Sequence, residues 1–263
     1  MKKYRFADIH DTAVVDPAAK IAKGVKIGPY SVIGANVKIG QGTTIGSNAH
    51  IEGWTTIGNN NLIGNGVSIG LPPQNLDYEG EKTYLFIGDN NIIREYVTIH
   101  LGTIEGGGET RIGNNNQLMV YSHVAHDCNL GNNITIANAA NLAGHVNVEN
   151  DAYISRLVGI HQFVKIGQLS LVGSHSKVTK DLPPYVEVQG HPAMVKGINV
   201  VGLRKNGISN KLKKEINKAF NILYESDLNI SQAIKKMDQE LQTSKEIEHF
   251  IRFLKNSTRG ICR

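Results

Sequence analysis

The sequence predicts an all-β solenoid, a parallel β-helix of hexapeptide repeats, followed by a C-terminal α-helical domain. Three observations carry that reading. Aliphatic residues recur every six positions through most of the first 180 residues, two polar breaks interrupt the register, and apolar spacing turns helical after a Pro-Pro pair. Neither an amphipathic helix nor an alternating strand generates a period of six. A hexapeptide repeat does, because each short strand sends one aliphatic side chain to the axis of a prism.

The register starts at Ile9 and runs through Val15, Ile21, Ile27, Ile33, Ile39, Ile45, Ile51, Ile57, Ile63 and Ile69 without a slip. It breaks at Leu71-Pro72-Pro73-Gln74-Asn75-Leu76-Asp77, resumes at Ile87, Ile93 and Ile99, and breaks again around Gly106-Gly107-Gly108. The longest clean run is 112–178, where Ile112, Leu118, Val124, Leu130, Ile136, Leu142, Val148, Ile154, Ile160, Ile166, Val172 and Val178 open successive blocks. At three blocks per turn the twenty-six register positions from Ile9 to Val178 make about eight to nine coils of roughly 18 residues. The breaks are expected as loop insertions at 71–85 and 101–111. Insertions in a solenoid gather on one face, often the binding face, although a harmless surface insertion is the plainer alternative.

The prism is expected to end near Asp181-Leu182-Pro183-Pro184-Tyr185, since a Pro-Pro pair cannot continue a hydrogen-bonded coil. This places a β-helix over 1–190 and a helical domain over 191–263. Ser209 is expected to cap a helix carrying Leu212, Ile216, Ala219, Phe220 and Leu223. Ser231 opens a second with Ile234, Met237 and Leu241, and Ser244 a third with Ile247, Phe250, Ile251 and Leu254. Lys211, Lys213, Lys214, Lys218, Lys235 and Lys236 lie between these apolar positions, as a solvated face or as a docking surface for an acidic protein.

At 263 residues the chain can bury a sizeable core in one or two domains. Its net charge of +5 leans toward an acidic or phosphorylated partner. No basic stripe interleaved with aromatics points to nucleic acid. Cys128 and Cys262 form no CxxC pair and read as reduced thiols of a cytoplasmic protein. Met1-Lys2-Lys3 is not followed by an apolar run, so no export signal is expected, and no segment reaches the roughly 20 apolar residues of a membrane span.

The reactive residues cluster inside the longest run. His126 to His145 is one coil plus one residue, and His145 to His161 one coil less two. His100 joins them once the second break is discounted. Four histidines are therefore expected in nearly one angular sector on successive coils, about 4.8 Å apart along the axis, with His123 round a corner. One histidine alone reads as a polar turn residue, whereas four in register read as a functional strip. Such a strip binds a metal, as in the γ-class carbonic anhydrases, or supplies a general base. No Cys or Glu joins it as a further ligand. A base needs a partner for its ring. Asp127 is adjacent to His126, but neighbours on a strand face opposite ways, so the partner is Asp127, another residue or another subunit's residue.

The sequence resembles the UDP-N-acetylglucosamine acyltransferases that open lipid A biosynthesis. The residues that carry the resemblance are Arg94-Glu95-Tyr96-Val97-Thr98-Ile99-His100, Gly102-Thr103 with Gly106-Gly107-Gly108, His123-Val124-Ala125-His126-Asp127-Cys128, Leu142-Ala143-Gly144-His145-Val146, His161-Gln162-Phe163, Asp181-Leu182-Pro183-Pro184-Tyr185 and Ser257-Thr258-Arg259-Gly260. The resemblance spans essentially the whole chain. It implies a left-handed parallel β-helix, an exception to the right-handed crossover rule, and a homotrimer with active sites in the clefts between subunits. It implies transfer of a 3-hydroxyacyl group from acyl carrier protein to the 3-position of the UDP-sugar, with no cofactor beyond the donor's phosphopantetheine and no metal. His126 matches the family's general base, Asp127 the acid that assists it, and Gly144 the N–H donor to the oxyanion. Gln74, His100, His123, His145, His161 and Gln162 match substrate contacts. Asn199 and Lys205 match positions that handle the nucleotide and phosphates, with lysine where arginine is usual. Ser174 matches the position whose bulk sets acyl length, and a small residue there implies room for a longer chain.

The first loop departs from the family's usual Gln-Asp-Leu-Lys, reading Gln74-Asn75-Leu76-Asp77. The changed charge makes Asn75 and Asp77 candidates for an altered acceptor, the 3-amino analogue of UDP-N-acetylglucosamine giving an amide, against drift in an exposed loop. Val201 also stands where an acid is frequent. A zinc-dependent hydratase of the γ-class carbonic anhydrase kind is the alternative from another reaction class.

Overall fold

A computed structural model describes residues 6–263. Residues 1–5, and with them the start of the segment read for an export signal, lie outside it. The hexad blocks are two-residue strands such as Lys26–Ile27, Val32–Ile33 and Lys38–Ile39, and each strand pairs in parallel with the strands one coil before and after. Among the described residues they build three sheets of eleven, nine and eight strands, the faces of a left-handed parallel β-helix. In each block the second strand residue points to the axis. Ile33, Ile51, Ile69, Ile99, Val124, Leu142 and Val178 are each at most 1% exposed, stacked directly above one another.

The corners explain the rest of the hexad. Tyr30, Asn48, Tyr96, Tyr121, Ala139, Leu157 and His175 all have φ between 54° and 61° and form one column of left-handed turns. Asn60, Asn90, Asn115, Asn133 and Asp151 form a second, while Asp127, His145 and Phe163 form a third. Asn and Gly tolerate this conformation best, which accounts for their abundance. Buried asparagines also stitch the coils: Asn61 Oδ1 accepts the Asn91 N–H, Asn91 Oδ1 the Asn116 N–H, and Asn116 Oδ1 the Ile134 N–H, each at 2.8 Å. Corner amides that lack a strand partner are thereby satisfied.

The two breaks are loops, but shorter than the intervals 71–85 and 101–111. Leu71 ends strand Ser68–Leu71, strand Tyr84–Ile87 takes up 84 and 85, and strand Glu109–Ile112 takes up 109–111. The cause is pairing: Tyr84–Ile87 lies in register with Trp54–Ile57 on one side and Glu109–Ile112 on the other. The backbone there is extended beyond the hexad unit.

The segment from 191 is not helical at its start. Strand Val186–Gln189 adds in parallel to the last coil, and Met194–Ile198 returns antiparallel to it. A terminal strand exposes a row of unpaired N–H and C=O groups, and a returning strand satisfies them where a helix would not. Four helices follow: α1 (Val200–Lys205), α2 (Asn210–Tyr224), α3 (Ile230–Glu240) and α4 (Lys245–Lys255). Ser209 and Ser244 cap α2 and α4 through their side chains. Ser231 does not cap α3. Asn229 does, in a reciprocal capping box with Gln232. Ile216, Phe220, Leu223, Met237, Phe250 and Leu254 form the helical core, while Lys211, Lys214, Lys218 and Lys235 are exposed.

The helical domain is tied to the prism by polar contacts. His249 Nε2 lies 2.9 Å from Glu149 Oε2, and Lys165 Nζ donates to the Asn256 carbonyl at 2.8 Å. Asp181 accepts the Ser257 hydroxyl at 2.8 Å, and its backbone pairs with Gly260 and Cys262. The last residues therefore run back along the prism toward the groove.

Candidate active site

The site lies on the outer face of the second sheet, where the chain leaves its strands. Outward-facing His123, Asn141, Gly159 and Lys177 succeed one another along the stack and form the floor of an open groove of about 750 Å3. One wall carries His126, Gly144, His161 and Gln162, and the other Leu157 and His175. Gln74 reaches in from the first loop and His191 closes one end. Gly159 has a reason to be glycine: a Cβ there would meet nothing within 4 Å, so the missing side chain is space in the floor.

Val124, Leu142 and Ile160 are register partners, with Ile99 one coil before Val124. His100 and His161 both follow directly on this aliphatic column, His126 stands two residues past it and His145 three. All four thus occupy one corner, with His123 preceding the column. Ring contacts join them in two sets. His100 and His123 meet edge to face at 5.3 Å, and His126 and His145 at 5.2 Å, with His145 stacked on Phe163 at 4.3 Å.

The partner of His126 is Asp127 itself. His126 Nδ1 donates to Asp127 Oδ2 at 2.6 Å. Strand alternation does not separate them because Asp127 has left the strand: its φ is 60°, the corner conformation shared with His145 and Phe163. The carboxylate is fully buried. Both its oxygens are held by Thr103, through the backbone N–H to Oδ1 and the hydroxyl to Oδ2, each at 2.7 Å, and the Asp127 N–H donates to Thr110 Oγ1 at 2.8 Å. Burial works to raise the Asp127 pKa, but the bonds from His126 and Thr103 outweigh it and hold the carboxyl below its ordinary range. A carboxylate accepts only, so the His126 proton sits on Nδ1 and Nε2 is left as a lone-pair acceptor facing the groove.

The second loop makes this arrangement. Thr103 and Gly106 fold over Asp127, and a Cβ on Gly106 would overlap its carboxylate. Only glycine fits that close approach. Gly144 is as constrained, because a Cβ on it would lie 2.6 Å from the His126 ring. Gly144 lines the groove and its own N–H has no partner among the described residues, so it is available to a developing negative oxygen.

Burial lowers the His145 pKa, with Asp127 3.7 Å from its Nε2 opposing the shift. His123 is pushed down to about 4, first by burial and then by His100 and His126. Its Nδ1 is 2.7 Å from the Thr98 hydroxyl. His100 is 7% exposed and donates Nδ1–H to the Pro72 carbonyl at 2.7 Å, anchoring the first loop. His126, Asp127 and His145 could offer metal-ligand atoms within 4.8 Å of one another. However, His126 Nδ1 and Asp127 Oδ2 are bonded to each other and Thr103 holds both carboxylate oxygens, the arrangement of an orienting pair.

Other expected residues lie elsewhere. Asn75 spends its side chain on the Asp77 N–H within the loop at 3.1 Å, and neither Asn75 nor Asp77 lines the groove. Asn199 is 3% exposed: its Oδ1 caps α1 at the Gly202 N–H and its Nδ2 donates to the Leu169 carbonyl. Lys205 ends α1 and Ser174 follows a strand of the first sheet, both off the groove. Sequence reasoning missed Thr103's hold on Asp127, and His175, Lys177 and His191 as lining residues. His175 was legible only as a corner position, one coil on from Leu157.

The chain matches the family model described as UDP-N-acetylglucosamine O-acyltransferase, domain 2, over residues 181–262, and the bacterial transferase hexapeptide model over 6–40 and 36–70. It is 50% identical to the acyl-[acyl-carrier-protein]–UDP-N-acetylglucosamine O-acyltransferase of Alkalilimnicola ehrlichii over 97% of this chain and 99% of that one. Identity to the enzyme of the same name from Halorhodospira halophila is 46%, with the same coverage. Among solved structures, LpxA from Acinetobacter baumannii superposes with a TM-score of 0.95 at 42% identity. The UDP-N-acetylglucosamine acyltransferase of Bacteroides fragilis superposes at 0.94 and 42%, each covering 97% of this chain and 99% of the other.

Proposed function

Since the chain belongs to the acyl-[acyl-carrier-protein]–UDP-N-acetylglucosamine O-acyltransferases, we propose that it transfers an (R)-3-hydroxyacyl chain from acyl carrier protein to the 3-hydroxyl of UDP-N-acetylglucosamine with His126 as general base. The observation that carries the mechanism is the presence of two free groups on one wall: His126 Nε2, with Nδ1 locked onto Asp127, and the N–H of Gly144, unpartnered among the described residues, whose residue packs against the same ring.

The steps follow from that pairing. His126 Nε2 takes the proton of the acceptor hydroxyl as its oxygen attacks the thioester carbonyl, so the C–O bond forms while the imidazolium is stabilised by Asp127. The carbonyl oxygen becomes an oxyanion and accepts from Gly144 N–H. Collapse breaks the C–S bond, and the departing phosphopantetheine thiolate recovers the proton from His126. Asp127 stays ionised throughout, and no cofactor or metal of the enzyme's own takes part.

His123, Gln74, His161 and Gln162 bound the space where sugar and thioester meet, with His100 and His145 backing them. The groove is open along its length, and a homotrimer would place a neighbouring protomer over it, bringing Ser174 and Lys205 of that neighbour toward the acyl chain and the phosphates. Such a trimer takes carrier protein on its exposed lysines and opens lipid A synthesis in the cytoplasm, consistent with the buried free thiols of Cys128 and Cys262. Among the described residues no helix is long and apolar enough to cross a membrane. Asn75 and Asp77, which prompted the 3-amino acceptor, do not line the groove, and the likeness to O-acyltransferases favours the ester over both the amide and the hydratase reading.

Purified protein given 3-hydroxyacyl carrier protein and UDP-N-acetylglucosamine should yield the ester by mass spectrometry, and His126→Ala of unchanged fold should yield none. Full turnover by His126→Ala would sink the assignment.

A further inference from the structure

The C-terminal tail holds one side chain against the groove that the mechanism above leaves unused. Arg259 Nη2 lies 2.9 Å from His161 Nδ1, and Arg259 Nε donates to the Thr179 carbonyl at 2.8 Å. The tail is itself pinned on either side of Arg259, by the Ser257 hydroxyl on Asp181 and by the Gly260 carbonyl accepting from the Asp181 N–H. The guanidinium is thus oriented at both ends before it meets the imidazole.

A guanidinium has donors only and does not give up its proton in proteins. His161 Nδ1 must therefore be the acceptor, and its ring proton must sit on Nε2. The 3.2 Å approach of Nδ1 to the Gln162 carbonyl is then a contact without a bridging proton. Protonating His161 would place a second cation against Arg259 and destroy the bond. His126 is fixed in the opposite way, by an acceptor that draws its proton to Nδ1. Two histidines on one wall are thus held in complementary tautomers, one presenting a lone pair and the other a proton.

We propose that Arg259 is a positioning residue that fixes the tautomer of His161, with Nε2–H as a donor into the groove toward an oxygen of the bound substrates. This rests on the proposed reading that substrate occupies the groove His161 lines. Arg259 itself acts only through His161.

The test begins with the unmodified full-length protein labelled with 15N-histidine, the His161 signals being those absent from a His161→Asn sample. A pyridine-type Nδ1 and a proton-bearing Nε2 are expected, and a proton on Nδ1 overturns the proposal whatever any variant does. Arg259→Met removes the donor at similar length. It should make the two nitrogens of His161 exchange-averaged and lower kcat/KM about tenfold, the scale of one charged hydrogen bond. Arg259→Lys, which can still donate, should restore most of both. Unchanged nitrogen signals and kcat/KM in Arg259→Met, with His161→Asn impaired, would overturn the proposal and leave the groove assignment standing. Full activity of His161→Asn would instead remove the reading on which it rests.

Discussion

Asp127 accepts the Nδ1 proton of His126 at 2.6 Å although the two are sequence neighbours, because its left-handed φ of 60° turns both side chains to one side of the corner. Asp127→Asn keeps the volume and loses the anion. The amide can present its NH2 to His126 and reverse the tautomer. Turnover should fall about a hundredfold or more with oligomeric state and far-UV spectrum unchanged, as expected for a misoriented base. Steady-state kinetics beside circular dichroism check it.

Gly106 should be as sensitive as the carboxylate it covers. In Gly106→Ala the new Cβ occupies the place of the Asp127 side chain, so the carboxylate must move and the His126 ring follows it. A loss of at least tenfold in kcat is expected, whereas Gly107→Ala, whose Cβ meets nothing within 4 Å but whose φ is 98°, should cost stability more than activity. Paired kinetics and thermal melts separate the two.

His123 gives the fold a pH dependence on the acid side. Its folded pKa, about 4, lies below the ordinary value of 6.5. Between these values the unfolded chain binds a proton there that the folded chain does not, so stability falls as pH drops from 6.5 toward 4. Calorimetry of wild type and His123→Asn at pH 7 and pH 5 should show a smaller loss of Tm in the variant.

Neither cysteine should react while the protein is folded. Burial pushes Cys128 up to about 12 and Cys262 to about 11, and their thiols donate to the carbonyls of Ala143 and Lys180. Iodoacetamide at pH 8 should leave both unlabelled by mass spectrometry until denaturant is added, since the thiolate is the nucleophile.

Asn229→Ala removes one half of the capping box on α3. A cost of about 1 kcal/mol is expected, read as a lower denaturation midpoint. Ser231→Ala, already inside the helix, should cost less than half of that.

The prism was legible because its cause is periodic: one axial aliphatic per six residues leaves a mark that Ile33 and Val178 carry alike. Polar side chains leave no such mark. Period-two alternation was the wrong rule for Asp127, since a two-residue strand ends before alternation can be applied. Thr103 lies 24 residues from the carboxylate it holds, and only the folding of a Gly-rich loop joins them. Asn229 and Ser231 are both residue types that cap, and the reciprocal Gln232 selects Asn229 only once the turn exists. The bonds that orient the Asn199 amide, to the Gly202 N–H and to the Leu169 carbonyl 30 residues away, likewise exist only in the fold.

The antiparallel return of Met194–Ile198 onto Val186–Gln189 bears on the solution behaviour of the whole molecule. A parallel stack is a template at its open end, and any extended chain can add another rung. Reversing direction on the last strand puts a differently spaced ladder at that edge, backed by a helical domain. The stack is closed there by a physical stop, and a protein cut after Gln189 is expected to self-associate through the uncovered edge of Val186–Gln189.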